Sequence, residues 1–211
     1  METAQICPPE IRASILAAAA ALESRFAPAG SALTQASEAA ELVGALTDDT
    51  VLANAVVVAQ LPARDERMPP ELAGVVSPES WRIASDLALL GDVGLPPNWN
   101  PEQTLEGRQA ESLRKMLLSV VSDPRLVVAR IAMQLVRLRH ARRLPSLERE
   151  RLATEARLVF APLANRLGVW QLKWELEDFA FRYLEPAEYR RIAAAVSEKR
   201  VDREQIGRAH V

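Results

Sequence analysis

Residues 161–186 restrict the fold of this chain most, because they combine an aromatic-rich composition with helical spacing. Aromatics make up only 5% of the 211 residues, yet this segment holds two Trp, two Phe and one Tyr. At about 100° per residue, its apolar side chains fall on two opposite stripes of a helix. The first stripe holds Trp170, Trp174, Phe181 and Leu184, and the second holds Leu172, Leu176, Phe179 and Tyr183. Because a surface helix needs only one apolar stripe, this helix is predicted either to lie at the centre of one core or to present its second stripe to a partner.

Helical periodicity also dominates the rest of the chain, and no segment shows the alternation typical of a half-buried strand. The β-branched run at residues 51–58 is interpreted as a buried helix, because Asp48, Asp49 and Thr50 offer a helix cap before it. We expect a kink at Pro162. The predicted helices cover residues 8–26, 34–46, 50–61, a pair at 71–76 and 79–90 that is split at Pro78 and counted once, 108–121, 124–143, 147–166, 170–184 and 186–199. The sequence therefore predicts an all-α fold of about nine helices, without an internal repeat.

Composition and charge argue against several classes of protein. The net charge is −2, so no overall field attracts nucleic acid or an anionic membrane. No apolar stretch approaches the roughly 20 residues that span a bilayer, and the N-terminus lacks the cationic segment of a secretory signal. The single cysteine, Cys7, excludes an intrachain disulfide, and we interpret it as an inert residue near a loose terminus. These features predict a cytoplasmic protein.

Known catalytic and ligand-binding motifs are absent from the sequence. The only histidines are His140 and His210, and no His, Cys and Asp cluster has metal-ligand spacing. Neither a phosphate-binding glycine loop nor a nucleophile elbow occurs. The acidic pair Asp48 and Asp49 is typical of a helix start, and the acidic residues near Glu177 are typical of a solvated face. The residues themselves therefore predict no catalytic site, no cofactor and no metal.

A basic cluster near residue 140 leaves two interpretations open. Its members are Arg130, Arg137, Arg139, His140, Arg142 and Arg143. Cations in the last turn of a helix offset its macrodipole, which is a structural role. The same cations are candidates for contact with RNA or with an acidic partner. Interleaved aromatics, which a base-stacking surface needs, are missing from the cluster.

Two long segments resemble the N-terminal region of the RelA/SpoT family, whose members make and degrade the alarmone (p)ppGpp. They are residues 111–125 and residues 161–186, and the resemblance extends over roughly residues 33–205. The resemblance implies a helical HD-type phosphohydrolase domain. In active members a metal ion, usually manganese, is held by a histidine, an adjacent His-Asp pair and a later aspartate, and it helps to remove pyrophosphate from the 3′ position of ppGpp.

This chain departs from that pattern at every ligand. By ungapped matching, the first histidine corresponds to Gln35, the His-Asp pair to Val57 and Val58, and the later aspartate to Met133. The following histidine of the family corresponds to Val136. Valine and a thioether are poor ligands for a hard dication. We therefore expect Gln35, Val57, Val58 and Met133 to be former ligand positions in a catalytically inactive, regulatory domain, which is not itself an enzyme.

By the same resemblance, the parent protein is expected to be a RelA-type GTP pyrophosphokinase of the stringent response. Its synthetase domain, absent from this sequence, is the expected partner, and the ribosome is contacted through further C-terminal domains. The candidate contacts with the synthetase domain or with RNA are Arg137, Arg139, Arg142, Arg143, Trp170 and Trp174. The alternatives are an active metal-dependent ppGpp hydrolase and a helical RNA-binding module.

The expected domain organisation has four parts. Residues 1–32 form an N-terminal helix and loop, and residues 33–200 form the HD-type domain. Residues 201–205 begin a linker to the synthetase domain. Residues 206–211 match the translation of a common sequencing adapter, so we expect them to be adapter-derived and the natural sequence to continue beyond Glu204.

Overall fold

The computed structural model describes residues 7–25, 30–59, 68–90, 95, 99, 110–112, 115 and 123–196. These residues are helical apart from turns, caps and one isolated bridge, so the predicted all-α class is confirmed. The helices are α1 (Pro9–Arg25), α2 (Gly30–Thr47), α3 (Thr50–Val58), α4 (Pro78–Leu90), α5 (Pro124–His140), α6 (Ser146–Glu155), α7 (Ala161–Arg166), α8 (Trp170–Leu184) and α9 (residues 186–196). The predicted helix at residues 108–121 and the predicted loop at residues 91–101 lie mostly outside the described residues.

Helix α3 lies at the centre of the N-terminal part of the fold. Every residue from Leu52 to Val58 is buried, as expected for a helix that is apolar on all sides. It packs against α1, α2, α4 and α5. The Asp49 carboxylate caps it by accepting a hydrogen bond from the Leu52 N–H at 3.0 Å. The predicted buried helix and its cap are therefore both confirmed.

A close approach of α1 to α2 requires a glycine. A Cβ at Gly44 would lie 2.8 Å from Cγ2 of Ile11 and 3.1 Å from Sγ of Cys7. Cys7 is only 7% exposed and belongs to the hydrophobic core, so its predicted place near a loose terminus is wrong. Burial raises the pKa of the thiol, and the nearby Glu41 carboxylate raises it further. Both effects disfavour the reactive thiolate.

The chain between α3 and α4 differs from its prediction. Instead of a helix over residues 71–76, the structure has a short 3₁₀ turn at Pro70–Leu72. An isolated bridge then joins Ala73 and Val76. Gly74 has φ of +105°, a backbone conformation that glycine adopts at little cost and that ends a helix. The predicted helix at this place is therefore wrong.

The long predicted helix at residues 147–166 is interrupted by a π turn. This turn covers Ala156–Phe160 and connects α6 directly to α7. Pro162 lies in the first turn of α7, where a proline is tolerated because its missing N–H has no helical partner. The interruption was predicted near the correct residue, but it takes the form of a π turn rather than a proline kink.

Helix α8 has the predicted bounds, but it is not a central helix. Its Leu172 and Leu176 are buried against the core. On the opposite stripe, Trp170 is 59% exposed and Trp174 is 63% exposed. The interpretation of α8 as a helix buried on both sides is therefore wrong. Among the described helices, none has the length and hydropathy needed to cross a membrane.

Candidate functional site

Three helices that pack on one another carry the positions predicted from the sequence to be former ligand positions. Helix α2 contacts both α3 and α5, and α3 also contacts α5. Gln35 on α2 is half-buried, whereas Val57 and Val58 at the end of α3 are 0% and 3% exposed. Met133 on α5 is 8% exposed. Three of the four positions thus belong to the hydrophobic core.

Three of these four side chains, those of Val57, Val58 and Met133, do not fit a manganese ion. Valine has no donor atom, and the thioether of Met133 is a soft ligand that a hard dication does not prefer. Val136, at the position of the family's next histidine, is 1% exposed and also lacks a donor. Within the part of the chain that the structure describes, His, Cys, Asp and Glu residues form no group of three or more that could hold a metal.

A first ion-pair cluster, the Arg125 cluster, joins the N-termini of α3 and α5. The Arg125 guanidinium donates to the carboxylate of Asp123, which caps α5, at 2.7 Å. It also donates to the carboxylate of Asp49, which caps α3, at 2.7 Å. Glu79, in the first turn of α4, lies 3.9 Å away. Hydrogen bonding to Arg125 outweighs partial burial and holds the pKa of Asp123 below its usual range.

A second cluster, the Glu38 cluster, joins α2, α5 and α8. One carboxylate oxygen of Glu38 accepts from Arg139 at 2.8 Å, and the other lies 2.7 Å from Nε2 of His140. Arg139 also donates to the carboxylate of Glu175 on α8. Burial acts to raise the pKa of Glu38, but the hydrogen bonds from His140 and Arg139 outweigh it, so the pKa lies below its usual value.

The depressed pKa of Glu38 predicts a pH dependence of stability. Because the pKa is lower in the folded state, the stabilisation is present above the unfolded value of about 4.3 and is lost as pH falls through the folded pKa. We expect the free energy of unfolding to fall below about pH 4.3, and Glu38→Gln to reduce this slope. Urea unfolding between about pH 3 and 6 measures it. Equal slopes for the two proteins would contradict the prediction.

The basic cluster predicted from the sequence does not form one surface. Arg130 is 4% exposed, and its guanidinium stacks 5.4 Å from the ring centroid of Phe160. Arg139 and His140 are engaged with Glu38. Arg142 and Arg143 are exposed in a 3₁₀ turn after α5, and Arg137 is half-buried. A nucleic acid would therefore meet only a part of the cluster, and contact with RNA stays a prediction.

The exposed aromatic stripe of α8 borders a groove, which we call the Trp groove. Its volume is about 890 Å³, and its wall is mainly apolar. The residues that line it are Leu46, Thr47, Val128, Gly168, Val169, Trp170, Gln171, Trp174 and Glu175. The Lys173 ammonium lies 5.9 Å from the Trp170 ring centroid and 5.0 Å from that of Trp174. The two predicted contact residues Trp170 and Trp174 are thus brought together at one surface.

Sequence reasoning missed a buried polar group on α6. Glu155 is 6% exposed, and its carboxylate accepts from the Leu95 N–H at 2.8 Å. It also accepts from Nε2 of Gln134 at 3.2 Å. Gln134 is fully buried and follows Met133 directly. No local signal marks Glu155, because it lies among other charged residues in the sequence and its partners are distant.

Comparison with known proteins identifies the family of this arrangement. Residues 13–170, more than half of the chain, match the HD domain family. The chain is 48% identical over 101 residues to a GTP pyrophosphokinase of Escherichia coli (strain K12), which covers 48% of this chain and 14% of that relative. It is 38% identical over 106 residues to a guanosine-3′,5′-bis(diphosphate) 3′-pyrophosphohydrolase of Aquifex aeolicus. This second match covers 50% of this chain and 15% of that relative.

A third relative has the name of a hydrolase as well. The chain is 49% identical over 96 residues to the "Probable guanosine-3′,5′-bis(diphosphate) 3′-pyrophosphohydrolase" of Synechocystis sp. (strain ATCC 27184 / PCC 6803 / Kazusa). This match covers 46% of this chain and 13% of the relative. The chain therefore spans about one seventh of the length of the relatives that it matches.

These comparisons contradict the prediction that this part of the chain is not an enzyme. Two of the relatives are named as hydrolases, and the HD domain is a hydrolase fold. Val57, Val58 and Met133 lack a nitrogen or oxygen donor, whereas Gln35 retains an amide oxygen. Oxygen donors from other side chains or from the backbone can also bind a dication, so substitutions at four positions do not by themselves remove an activity.

The all-helical architecture agrees with the family match, and the relatives narrow the family further. Proteins named GTP pyrophosphokinase and proteins named guanosine-3′,5′-bis(diphosphate) 3′-pyrophosphohydrolase are both represented among them. The predicted resemblance of the chain to the RelA/SpoT family is therefore confirmed. The chain belongs to the HD domain family and represents the HD domain of a RelA/SpoT-type protein.

Proposed function

We propose that this chain is part of an enzyme that makes or degrades guanosine-3′,5′-bis(diphosphate). The observation that carries the proposal is the similarity of about half of the chain, at 48% identity, to a GTP pyrophosphokinase. The HD domain match over residues 13–170 supports it independently. On this proposal, the substrates are guanine nucleotides with a diphosphate at the 3′ position, or GTP and ATP.

Of the two directions, hydrolysis of the 3′-diphosphate is the one that the comparisons favour for this domain. Two relatives, 49% and 38% identical to this chain over about half of its length, are named as 3′-pyrophosphohydrolases. Because Val57, Val58 and Met133 do not fit a hard dication, a hydrolytic site in this chain would take most of its donors from elsewhere. Hydrolysis should then survive Met133→Leu, a substitution that conserves core volume.

The test of the proposed function follows labelled nucleotides in both directions. This chain and the full-length product of the gene are each incubated with labelled ppGpp in the presence of Mn²⁺, with and without chelator. In a separate reaction, each is incubated with ATP and labelled GTP. We expect turnover in at least one of the two reactions. If neither reaction proceeds, in this chain or in the full-length product, the proposed function is wrong.

A second role, as a regulatory docking domain, is favoured by the Trp groove. Two exposed tryptophans at adjacent turns of one helix are unusual on a free surface, and Trp is enriched at the centres of interfaces. On this proposal, the synthetase domain of the same parent chain docks against Trp170 and Trp174. The short coverage of the relatives supports this occupant, because a GTP pyrophosphokinase extends far beyond the matched part.

This docking predicts a loss of affinity when the tryptophans are removed. Trp170→Ala/Trp174→Ala should weaken binding between this chain and the separately purified downstream region at least about tenfold, because buried Trp anchors typically contribute 2 kcal/mol or more. Isothermal titration calorimetry measures the Kd. Leu89→Ala is the matched control, since Leu89 is 65% exposed but lies on α4. Equal Kd values for the double variant and the control would refute the docking.

A further inference from the structure

Helix α5 is held at both of its ends by charged side chains rather than by apolar contacts alone. The Arg125 cluster lies in its first turn, and the Glu38 cluster lies in its last turn. Arg125 and Arg139 are fourteen positions apart in the sequence, which corresponds to about 21 Å along a helix. Met133, the former ligand position on α5, lies between them.

Each cluster connects α5 to another helix that carries a former ligand position. The Arg125 cluster reaches Asp49, the cap of α3, whose last turn carries Val57 and Val58. The Glu38 cluster reaches α2 one turn after Gln35, since Glu38 follows it by three residues. Together, the two clusters join the same three helices that a metal ion held at these positions would join.

The geometry of both clusters is that of strong ion pairs. Arg125 contacts two carboxylates at 2.7 Å, and Arg139 contacts the carboxylates of Glu38 and Glu175 at 2.8 and 2.5 Å. Short contacts between charged partners are roughly twice as strong as neutral hydrogen bonds. A guanidinium also presents several donors in a fixed plane, so it can bridge two carboxylates from different helices.

We propose that the Arg125 and Glu38 clusters cross-link α2, α3 and α5, so that the fold needs no cation at the former ligand positions. The aliphatic side chains fill the space between the three helices, and the two arginines supply the connections between them. On this proposal, the ion pairs of the two clusters connect the three helices in place of the metal ion that active members of the family bind.

Thermal unfolding of the full chain tests this proposal. Arg125→Met and Arg139→Met should each lower the melting temperature by about 4–8 °C, because each substitution removes an arginine that contacts two carboxylates. Arg157→Met is the matched control, since Arg157 forms an exposed 2.9 Å ion pair with Glu185 outside the three helices. This control should change the melting temperature by less than about 2 °C.

Two further measurements keep the proposal falsifiable if a variant does not fold. Added NaCl should lower the melting temperature of the parent chain, because partly exposed ion pairs are screened by salt. An excess of EDTA should leave it unchanged. The proposal is overturned if either arginine variant has the same melting temperature as the Arg157→Met control, or if NaCl leaves the melting temperature of the parent chain unchanged. It is also overturned if EDTA lowers the melting temperature as much as an arginine substitution does.

Discussion

Restoring the His-Asp pair of the family, by Val57→His together with Val58→Asp, should destabilise the chain by about 4 kcal/mol or more. The two side chains are 0% and 3% exposed and are surrounded by the helices that pack on α3. A charge at either position would be desolvated without a partner. Because small domains are stable by only about 5–15 kcal/mol, this loss is a large share of the total stability, and the variant should unfold at a much lower urea concentration. Urea unfolding, followed by far-UV circular dichroism, measures the effect.

The matched control introduces the same two side chains on an exposed helix. Ala193 and Ala194 on α9 are both exposed, so Ala193→His/Ala194→Asp should change the free energy of unfolding by less than about 1 kcal/mol. Both proteins are also measured with Mn²⁺. If the core variant is as stable as the control, or if Mn²⁺ restores its full stability, the apolar interpretation of α3 is wrong.

The second large effect is expected for Phe160→Ala, at about 3–5 kcal/mol. Phe160 is 1% exposed at the end of the π turn, and truncation leaves a cavity that the surrounding helices cannot close. Its ring also lies 5.4 Å from the buried Arg130 guanidinium, which donates to the Leu90 carbonyl at 3.2 Å. Loss of the ring therefore weakens the connection between α4 and α5 as well. Urea unfolding at constant m-value measures this cost.

Phe181→Ala provides the comparison for that measurement. Phe181 is only half-buried and packs edge-to-face on Tyr189, with ring centroids 5.8 Å apart. Because less apolar surface is lost and water can enter, the expected cost is about 1–2 kcal/mol. Comparable losses for the two variants would show that the π turn is not part of the cooperative core.

Features with a local physical cause could be predicted from the sequence. The start of α3 follows from Asp49, whose side chain needs only the N–H three residues later. The bounds of α8 follow from Gly168, with φ of +75° just before the helix, and from Pro186 just after it. In both cases the residues that determine the helix end lie within a few positions of it, so they can be identified from the sequence alone.

Features that depend on distant residues could not be predicted in the same way. The burial of Glu155 depends on Leu95, which is sixty residues away. Arg139 is interpreted from sequence either as a cation at a helix end or as a contact for RNA or an acidic partner, yet in the structure it pairs with Glu38, more than one hundred residues away. The exposure of Trp170 and Trp174 is likewise set by which side of α8 meets the core. Helical periodicity identifies the two apolar stripes of α8, but it does not determine which of them packs against the core.

The candidate site likewise has features that could be predicted from the sequence and features that could not. Its fold follows from the two segments that resemble a known family, and the comparisons confirm it. Substitutions at four positions do not exclude activity, since the same fold with other donors can support catalysis. The apolar character of Val57, Val58 and Met133 is nevertheless a direct property of the sequence and is matched by their burial.

Methyl NMR in the presence of Mn²⁺ tests the central claim most directly, because the paramagnetic ion broadens only the resonances of nearby nuclei. The chain is labelled at its Val and Met methyl groups and titrated with MnCl₂. We expect the methyl resonances of Val57, Val58 and Met133 to broaden no more than those of Val196, which is 62% exposed on α9. Selective, saturable broadening of Val57, Val58 and Met133 would place a cation among them and contradict the account.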